Sequence, residues 1–425
     1  MGGKLNIRKK LLLAAACLGL SACQFWPDIV APESRLSDQI LDKSQQQIIG
    51  FTSFNDFVTD VYNTSDPAEK TALVDSFIDW AQTTGGIPYV EDSTQVYFLY
   101  RSNSATTVSV AGDFNNWTPT NFDFIHLSGT NLFYRSETFE TDARLDYKFV
   151  VNGNNWILDP LNPHTCSGGY GPNSELSMPY YIQPPEIQSY PIGLGTMVNH
   201  TFTDSSGVSR SVKVYLPPGY ATSTDSLPTV YFHDGSEWVT LGFAKNVLDY
   251  LIAYNQIQPV IGVFVDPINR NQEYSYDNNF LNMFCDQLLP WIENQYRMMP
   301  GPENRASIGV SLGGLTSFFF CIQRPDLFGK CGAFSPASWF GDITQQYQNA
   351  ESLDMTIYMD AGTYEPSIFN ALQNMRAVLD NRGKAYEYRI WHEGHSWGAW
   401  RAHLDEALKV FWPTPSTGIA DEGNQ

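Results

Sequence analysis

Apolar and polar positions change their period twice along the 425 residues. Between residue 24 and about residue 90, Ile40, Ile48, Phe51, Phe57, Val58, Val61, Leu73, Phe77 and Trp80 recur at three- and four-residue steps. That spacing lines one face of a helix. It predicts two or three short helices behind a proline-containing tether, packed on a neighbouring domain. From Gln95 to about Ile182 the period falls to two, and the stretches 96–100, 108–112, 133–135 and 145–151 read as strands. Asn152-Gly153 is a hairpin signal. Several short strands in so small a span predict a β-sandwich of immunoglobulin-like build. Pro163, Pro172, Pro179, Pro184 and Pro185 then mark a stiff crossing. From about residue 193 to Trp412, strands at 212–216, 229–232, 260–265, 306–310, 332–334, 356–359 and 386–391 alternate with helical stretches at 242–255, 280–296, 313–324, 367–381 and 398–411. Such βα alternation predicts an α/β domain, a mostly parallel sheet with helices on both faces and its site at the strands' C-terminal ends.

The leader sets the boundaries ahead of these elements. Lys4, Arg8, Lys9 and Lys10 precede an apolar run at 11–20, too short to span a bilayer as a mature helix. Leu20-Ser21-Ala22-Cys23 follows and resembles the lipobox at which bacterial lipoproteins are cut. The expectation is a signal peptide over 1–22 and a lipid anchor on Cys23, stable because each buried methylene contributes ~0.8 kcal/mol. Gln24 after the cysteine favours the outer membrane, so the expected location is the cell envelope. The remaining divisions are tether and helices at 23–92, sandwich at 93–184, α/β domain at 185–414 and a tail at 415–425. Losing the leader's four basic residues takes the formal charge from −20 to −24. No basic stripe is present to displace the counterions of a nucleic acid, which excludes that partner class. Of six cysteines, Cys166, Cys285, Cys321 and Cys331 remain inside the folded part. Up to two disulfides in three pairings are compatible with an oxidising compartment, and no spacing suggests zinc. The sequence calls for no metal and no cofactor, and it leaves the oligomeric state open.

The candidate chemistry lies in the last domain. Gly309-Val310-Ser311-Leu312-Gly313 follows a short strand and opens a helix, an acidic loop follows at 360–365, and His395 comes last. That chain order, nucleophile then acid then histidine, is the one an α/β-hydrolase uses. Serine is a poor nucleophile until a base takes its proton, which makes His395 the expected base, with His392 the alternative. A carboxylate must then fix the histidine's tautomer. Glu365, just ahead of Pro366, is favoured over Asp360, which ends the preceding strand. The expected oxyanion donors are the backbone amides of Leu312 and of Asp234 and Gly235, in the loop after the strand at 229–232. Trp238, Trp339, Trp397 and Trp400 fall at the same sheet end and suggest an aromatic-lined cleft. Arg270 and Glu273 are candidates to hold a polar group of the substrate or to pair with each other.

Two resemblances follow from these residues. Val214-Tyr215-Leu216-Pro217-Pro218-Gly219-Tyr220, Phe232-His233-Asp234-Gly235, the serine motif, Arg324-Pro325-Asp326-Leu327-Phe328-Gly329, Ser335-Pro336 and Gly394-His395 together resemble the esterase D-like α/β-hydrolases, which include enterochelin and feruloyl esterases. The resemblance implies Ser311 as nucleophile, His395 as base and Glu365 as acid, where relatives usually carry an aspartate. Ala111-Gly112-Asp113-Phe114-Asn115-Asn116-Trp117, with Tyr147-Lys148-Phe149, Asn154-Asn155-Trp156 and Asp159-Pro160, resembles a family 48 carbohydrate-binding module, related to the glycogen-binding domain of the AMP-activated kinase β subunit. That likeness implies sugar stacking on Trp117 and Trp156, with Lys148 and Asn173 as polar partners. The expectation is a lipid-anchored serine esterase acting through an acyl-enzyme on a feruloyl or acetyl carbohydrate ester. The alternatives are a siderophore esterase, an acyltransferase, and a non-catalytic glycan-binding lipoprotein.

Overall fold

The structure, a computed structural model, describes residues 50–189, 191 and 193–414. The leader, Cys23, Ile40, Ile48 and the tail lie outside the described residues. Every element below belongs to the unit that begins at Phe51.

Helices α1 (Phe54–Asn63) and α2 (Pro67–Thr84) start at polar caps: the Ser53 hydroxyl accepts from the Asp56 amide at 3.0 Å, and Asp66 accepts from Ala68 at 2.7 Å. Their apolar faces, with Phe57, Val61 and Phe77, cover an antiparallel sheet. Its strands are β1 (Tyr89–Glu91), β2 (Gln95–Arg101), β4 (Ile125–His126) and β5 (Leu132–Thr138), in the order β1-β2-β5-β4. A second antiparallel sheet has the order β3 (Val108–Gly112), β6 (Arg144–Val151), β9 (Gly171–Ser177) and β8 (Thr165–Gly168), with β7 (Asn155–Ile157) also paired to β6. Residues 96–100 of β2 are apolar throughout, against the two-residue period expected there. Tyr97 and Leu99 face the helices, whereas Val96 and Phe98 meet Val110, Leu145 and Phe149 of the second sheet. Both faces of that strand are buried, so no polar alternation is needed. Asn152 and Gly153 both take the left-handed conformation in the β6–β7 turn, as the hairpin signal predicts.

The rest of the chain builds an eight-stranded sheet from β10 (Thr196–Thr203), β11 (Ser209–Leu216), β12 (Thr229–His233), β13 (Ile261–Val265), β14 (Arg305–Val310), β15 (Lys330–Phe334), β16 (Thr356–Gly362) and β17 (Glu387–Trp391). Their order is β10-β11-β13-β12-β14-β15-β16-β17, and the last six are parallel. The antiparallel edge strand β10 was not expected; it is largely exposed, so its apolar pattern is weak. Helices flank both faces. Helix α3 (Gly235–Thr240) precedes α4 (Ala244–Ala253), and α5 (Leu312–Gln323) precedes α6 (Pro366–Asn381); α7 (Trp397–Ala402) and α8 (Leu404–Phe411) close the fold. Helices α4 and α8 share a core with Phe232 and Ile308, while α5 and α6 share one with Tyr231 and Met359 on the opposite face.

The four cysteines of the folded part are buried free thiols, so the disulfides that the sequence allows are not formed among the described residues.

Candidate active site

The serine elbow is built by close approach. Ser311 connects β14 to α5 with φ 55° and ψ −119°, a left-handed conformation that costs a non-glycine residue about 1–3 kcal/mol. A Cβ at Gly309 would lie 2.3 Å from the carbonyl of Gly313, so only glycine fits this turn. The Ser311 amide donates to Phe334 O at 2.9 Å, tying the elbow to β15. Strain held by such contacts is typical of a residue kept in a working geometry.

His395 follows β17, and its Nδ1 is hydrogen-bonded to Glu365 Oε1. Glu365 is buried, and its Oε2 accepts from the Ser335 hydroxyl and the Gly362 amide, each at 2.7 Å. The Ser335 hydroxyl in turn accepts from Trp400 Nε1 at 3.0 Å, and the Trp400 ring stands edge-on to the imidazole at 4.8 Å. With Nδ1 engaged, Nε2 is the nitrogen left to face a nucleophile. Ser311 and His395 line the same two cavities.

The structure separates the two candidate acids. Asp360 Oδ1 accepts from the Ser335 amide at 3.0 Å and Oδ2 from the Tyr358 hydroxyl at 3.1 Å, so its carboxyl does not meet His395. Burial pushes it up to about 7. His392, the alternative base, is bound through Nδ1 to Asp142 at 2.6 Å.

Several other sequence expectations need correction. The Asp234 amide donates to the Tyr274 hydroxyl at 2.8 Å, because the left-handed conformation of Asp234 aims it there, and so it is not available to an oxyanion. Gly235 and Leu312 open α3 and α5, where first-turn amides lack intrahelical acceptors. Trp238 is fully buried against Phe232, Phe334 and Trp397 and lines neither cavity. Trp397 is buried too, yet one edge borders a cavity, as does Trp400. Arg270 and Glu273 do not pair with each other: Arg270 forks onto Asp234 at 2.8 Å through both Nε and Nη2, and Glu273 pairs with Arg210 at 3.0 Å. Arg270 still borders the cavity beside Ser311.

Two cavities meet at Ser311. The first, about 670 Å³, is lined by Leu312, Ala337, Phe340, Pro366 and Ile368 together with Trp339, which is 60% exposed. The second, about 690 Å³, is lined by Asp146, Lys148, Trp156, Tyr170, Asn173, Glu237 and Arg270. Both include Asp113, Trp117, Ser311 and His395. Trp117, Lys148, Trp156 and Asn173 therefore do not form a remote face; they line the space beside Ser311. The Trp117 backbone is left-handed (φ 57°), and its Nε1 donates to Asp113 Oδ1 at 3.1 Å. Burial and the neighbouring Asp146 raise the Asp113 carboxyl well above the usual range. Asp113, Ser335 and Phe340 were missed as site residues. Ser335-Pro336 and the Asp113 motif were visible in the sequence, but nothing local told that Asp113 lines both cavities or that the Ser335 hydroxyl bonds Glu365.

Residues 203–411 match the family model described as "Putative esterase". The iron(III) enterobactin esterase of Escherichia coli O6:H1 is 25% identical over 270 residues, 60% of this chain and 67% of that protein. The endo-1,4-beta-xylanase/feruloyl esterase of Xylanibacter ruminicola is 23% identical over 268 residues, 58% of this chain; the match spans only 36% of that protein's length. Among solved structures, the ferric enterobactin esterase of Salmonella typhimurium superposes with a TM-score of 0.68 at 21% identity, covering 79% of this chain and 98% of the other. At that identity the likeness is one of fold.

Proposed function

Residues 203–411 belong to the esterase family, and from that premise we propose that the protein is a serine carboxylic-ester hydrolase acting on a carbohydrate-linked feruloyl or acetyl ester. The observation that carries the reading is the Glu365–His395 hydrogen bond beside the strained Ser311 elbow. Ser311 Oγ attacks the ester carbonyl while His395 Nε2 takes its proton, and Glu365 holds the Nδ1 proton and stabilises the imidazolium. The Leu312 amide, with that of Gly235, meets the developing oxyanion. The tetrahedral intermediate then expels the alcohol, which receives the proton from His395. Water, activated by the same imidazole, releases the acid and restores Ser311.

The two cavities support the substrate class. An ester held at Ser311 extends its acyl and alcohol parts to opposite sides. The cavity with Trp339, Phe340 and Ile368 suits a planar apolar acyl group. The cavity with Asp146, Lys148, Asn173 and the half-exposed Trp156 suits a polyhydroxylated alcohol. In this reading the N-terminal sheet pair is an immunoglobulin-like, carbohydrate-binding-module-like domain that serves the catalytic cleft, and Cys23 carries the lipid that keeps the enzyme in the cell envelope. The cations Lys148 and Arg270 favour one second reading, a catecholate siderophore ester, in keeping with the enterobactin esterases among the relatives. Purified protein tested on methyl ferulate, p-nitrophenyl acetate, a feruloylated arabino-oligosaccharide and a catecholate trilactone decides among these. The account expects the feruloylated oligosaccharide to give the highest kcat/KM and Ser311→Ala to abolish turnover. Preference for the trilactone supports the second reading. No turnover of any ester, with retained glycan binding, ends the enzyme reading.

A further inference from the structure

The segment carrying His395 is held from one side by the N-terminal sheet pair. β6 opens at Arg144, whose amide donates to His392 O at 3.0 Å, forming a parallel bridge to Glu393 beyond the end of β17. The Arg144 guanidinium is completely buried. Its Nη1 donates to the Ser396 hydroxyl at 3.1 Å, its Nη2 to Asp146 at 2.7 Å, and its Nε and Nη2 to Glu175 at 3.1 and 2.6 Å. Ser396 is the residue after His395, and its hydroxyl also caps α7 by accepting from the Ala399 amide at 3.3 Å. The segment lies so close that no side chain fits at Gly394 or Gly398. A Cβ at Gly398 would fall 2.1 Å from Arg144 Cζ, and one at Gly394 would fall 2.2 Å from Asp113 Cγ. Arg144 thus grips the chain before and after His395.

A buried guanidinium between two carboxylates is a weak source of stability, since desolvation offsets most of the attraction. What it supplies is fixed geometry, because a planar fork with several hydrogen-bonded partners has one arrangement. Asp146 extends this fixed set toward the cavity: its Oδ2 accepts from Asn173 Nδ2 at 3.0 Å, and both residues line the second cavity beside Ser311.

We propose that Arg144 is a positioning residue for His395, setting the imidazole against Ser311 through Ser396 and the His392 carbonyl, so that the N-terminal sheet pair is a working part of the catalytic site. The proposal rests on the reading of Ser311, His395 and Glu365 as the catalytic set. It concerns placement alone, and a displacement of about 1 Å costs on the order of 100-fold in rate.

The test uses the full chain and p-nitrophenyl acetate, with the rate of fluorophosphonate labelling of Ser311 and the melting temperature measured in parallel. Ser396→Ala is expected to lower kcat and the labelling rate by about 10- to 100-fold with KM near the wild-type value. Ser396→Thr, which keeps the hydroxyl and the cap, is expected to restore most of that loss. Arg144→Lys keeps the charge but loses the fork, and should fall similarly in kcat. Because both act through one hydrogen bond, the double variant is expected to be no slower than the slower single variant. Wild-type kcat in Ser396→Ala, multiplying losses in the double variant, or a loss of kcat no greater than the loss of folded protein each overturns the proposal. A different result, turnover surviving Ser311→Ala, would remove the catalytic reading instead.

Discussion

The Ser335 hydroxyl donates to Glu365 Oε2 at 2.7 Å while accepting from Trp400 Nε1 at 3.0 Å. The residue after β15 thereby orients the carboxylate that faces His395. Glu365→Gln places an amide where the imidazole needs an acceptor. The expected fall in kcat is about 10³- to 10⁴-fold with KM little changed, by steady-state kinetics. Ser335→Ala removes one hydrogen bond to a charged group, and a loss of about 10- to 100-fold in kcat is expected.

Asp360→Asn discriminates between the two acids. Its carboxyl bonds Ser335 N and Tyr358 OH, so the variant should keep kcat within about threefold of wild type, while Glu365→Gln does not. Stability should respond to pH as well. Burial raises Asp360 to about 7, with Glu365 nearby adding to the rise and His403 opposing it. A carboxyl raised in the folded state contributes stability that is complete below the ordinary carboxylate range and is lost as pH climbs toward about 7. The melting temperature of the wild type is expected to fall across that window more than that of Asp360→Asn, as read by calorimetry from pH 4.5 to 8.

Trp238 and Trp339 look alike in the sequence but differ in place. Trp238 is fully enclosed, and Trp238→Ala is expected to cost about 3–5 kcal/mol in denaturant unfolding. Trp339 is largely exposed at the first cavity. Trp339→Ala should stay within about 0.5 kcal/mol of wild-type stability. It should lower kcat/KM for methyl ferulate more than for p-nitrophenyl acetate.

The second cavity predicts a dependence on the alcohol. Trp156→Ala is expected to raise KM for a feruloylated oligosaccharide about tenfold, one lost stacking contact of ~1.4 kcal/mol. KM for methyl ferulate, which does not reach Trp156, should stay near the wild-type value. Equal effects on both esters would place Trp156 outside the alcohol's path.

Local signals told much of this in advance. The glycine spacing around Ser311 and the βα alternation made the elbow and the parallel strands legible, because both are set by backbone sterics within a few residues. The Asn152-Gly153 turn was legible for the same reason. What escaped was tertiary. Trp238 and Trp339 both follow strands of the sheet, and only packing decides which is buried. The exposed β10 has too few buried positions to declare itself. That the four residues expected to hold a glycan line the space beside Ser311, and that Arg144 reaches Ser396 across 252 positions of chain, depends on how two sheets meet, which no short window records.

Mass spectrometry of enzyme acid-quenched during turnover of methyl ferulate tests the central claim most directly. A feruloyl adduct on the peptide containing Ser311, accumulating before steady state and absent from Ser311→Ala, is the predicted result. Turnover that persists in Ser311→Ala, with no adduct on Ser311 in the wild type, would contradict it.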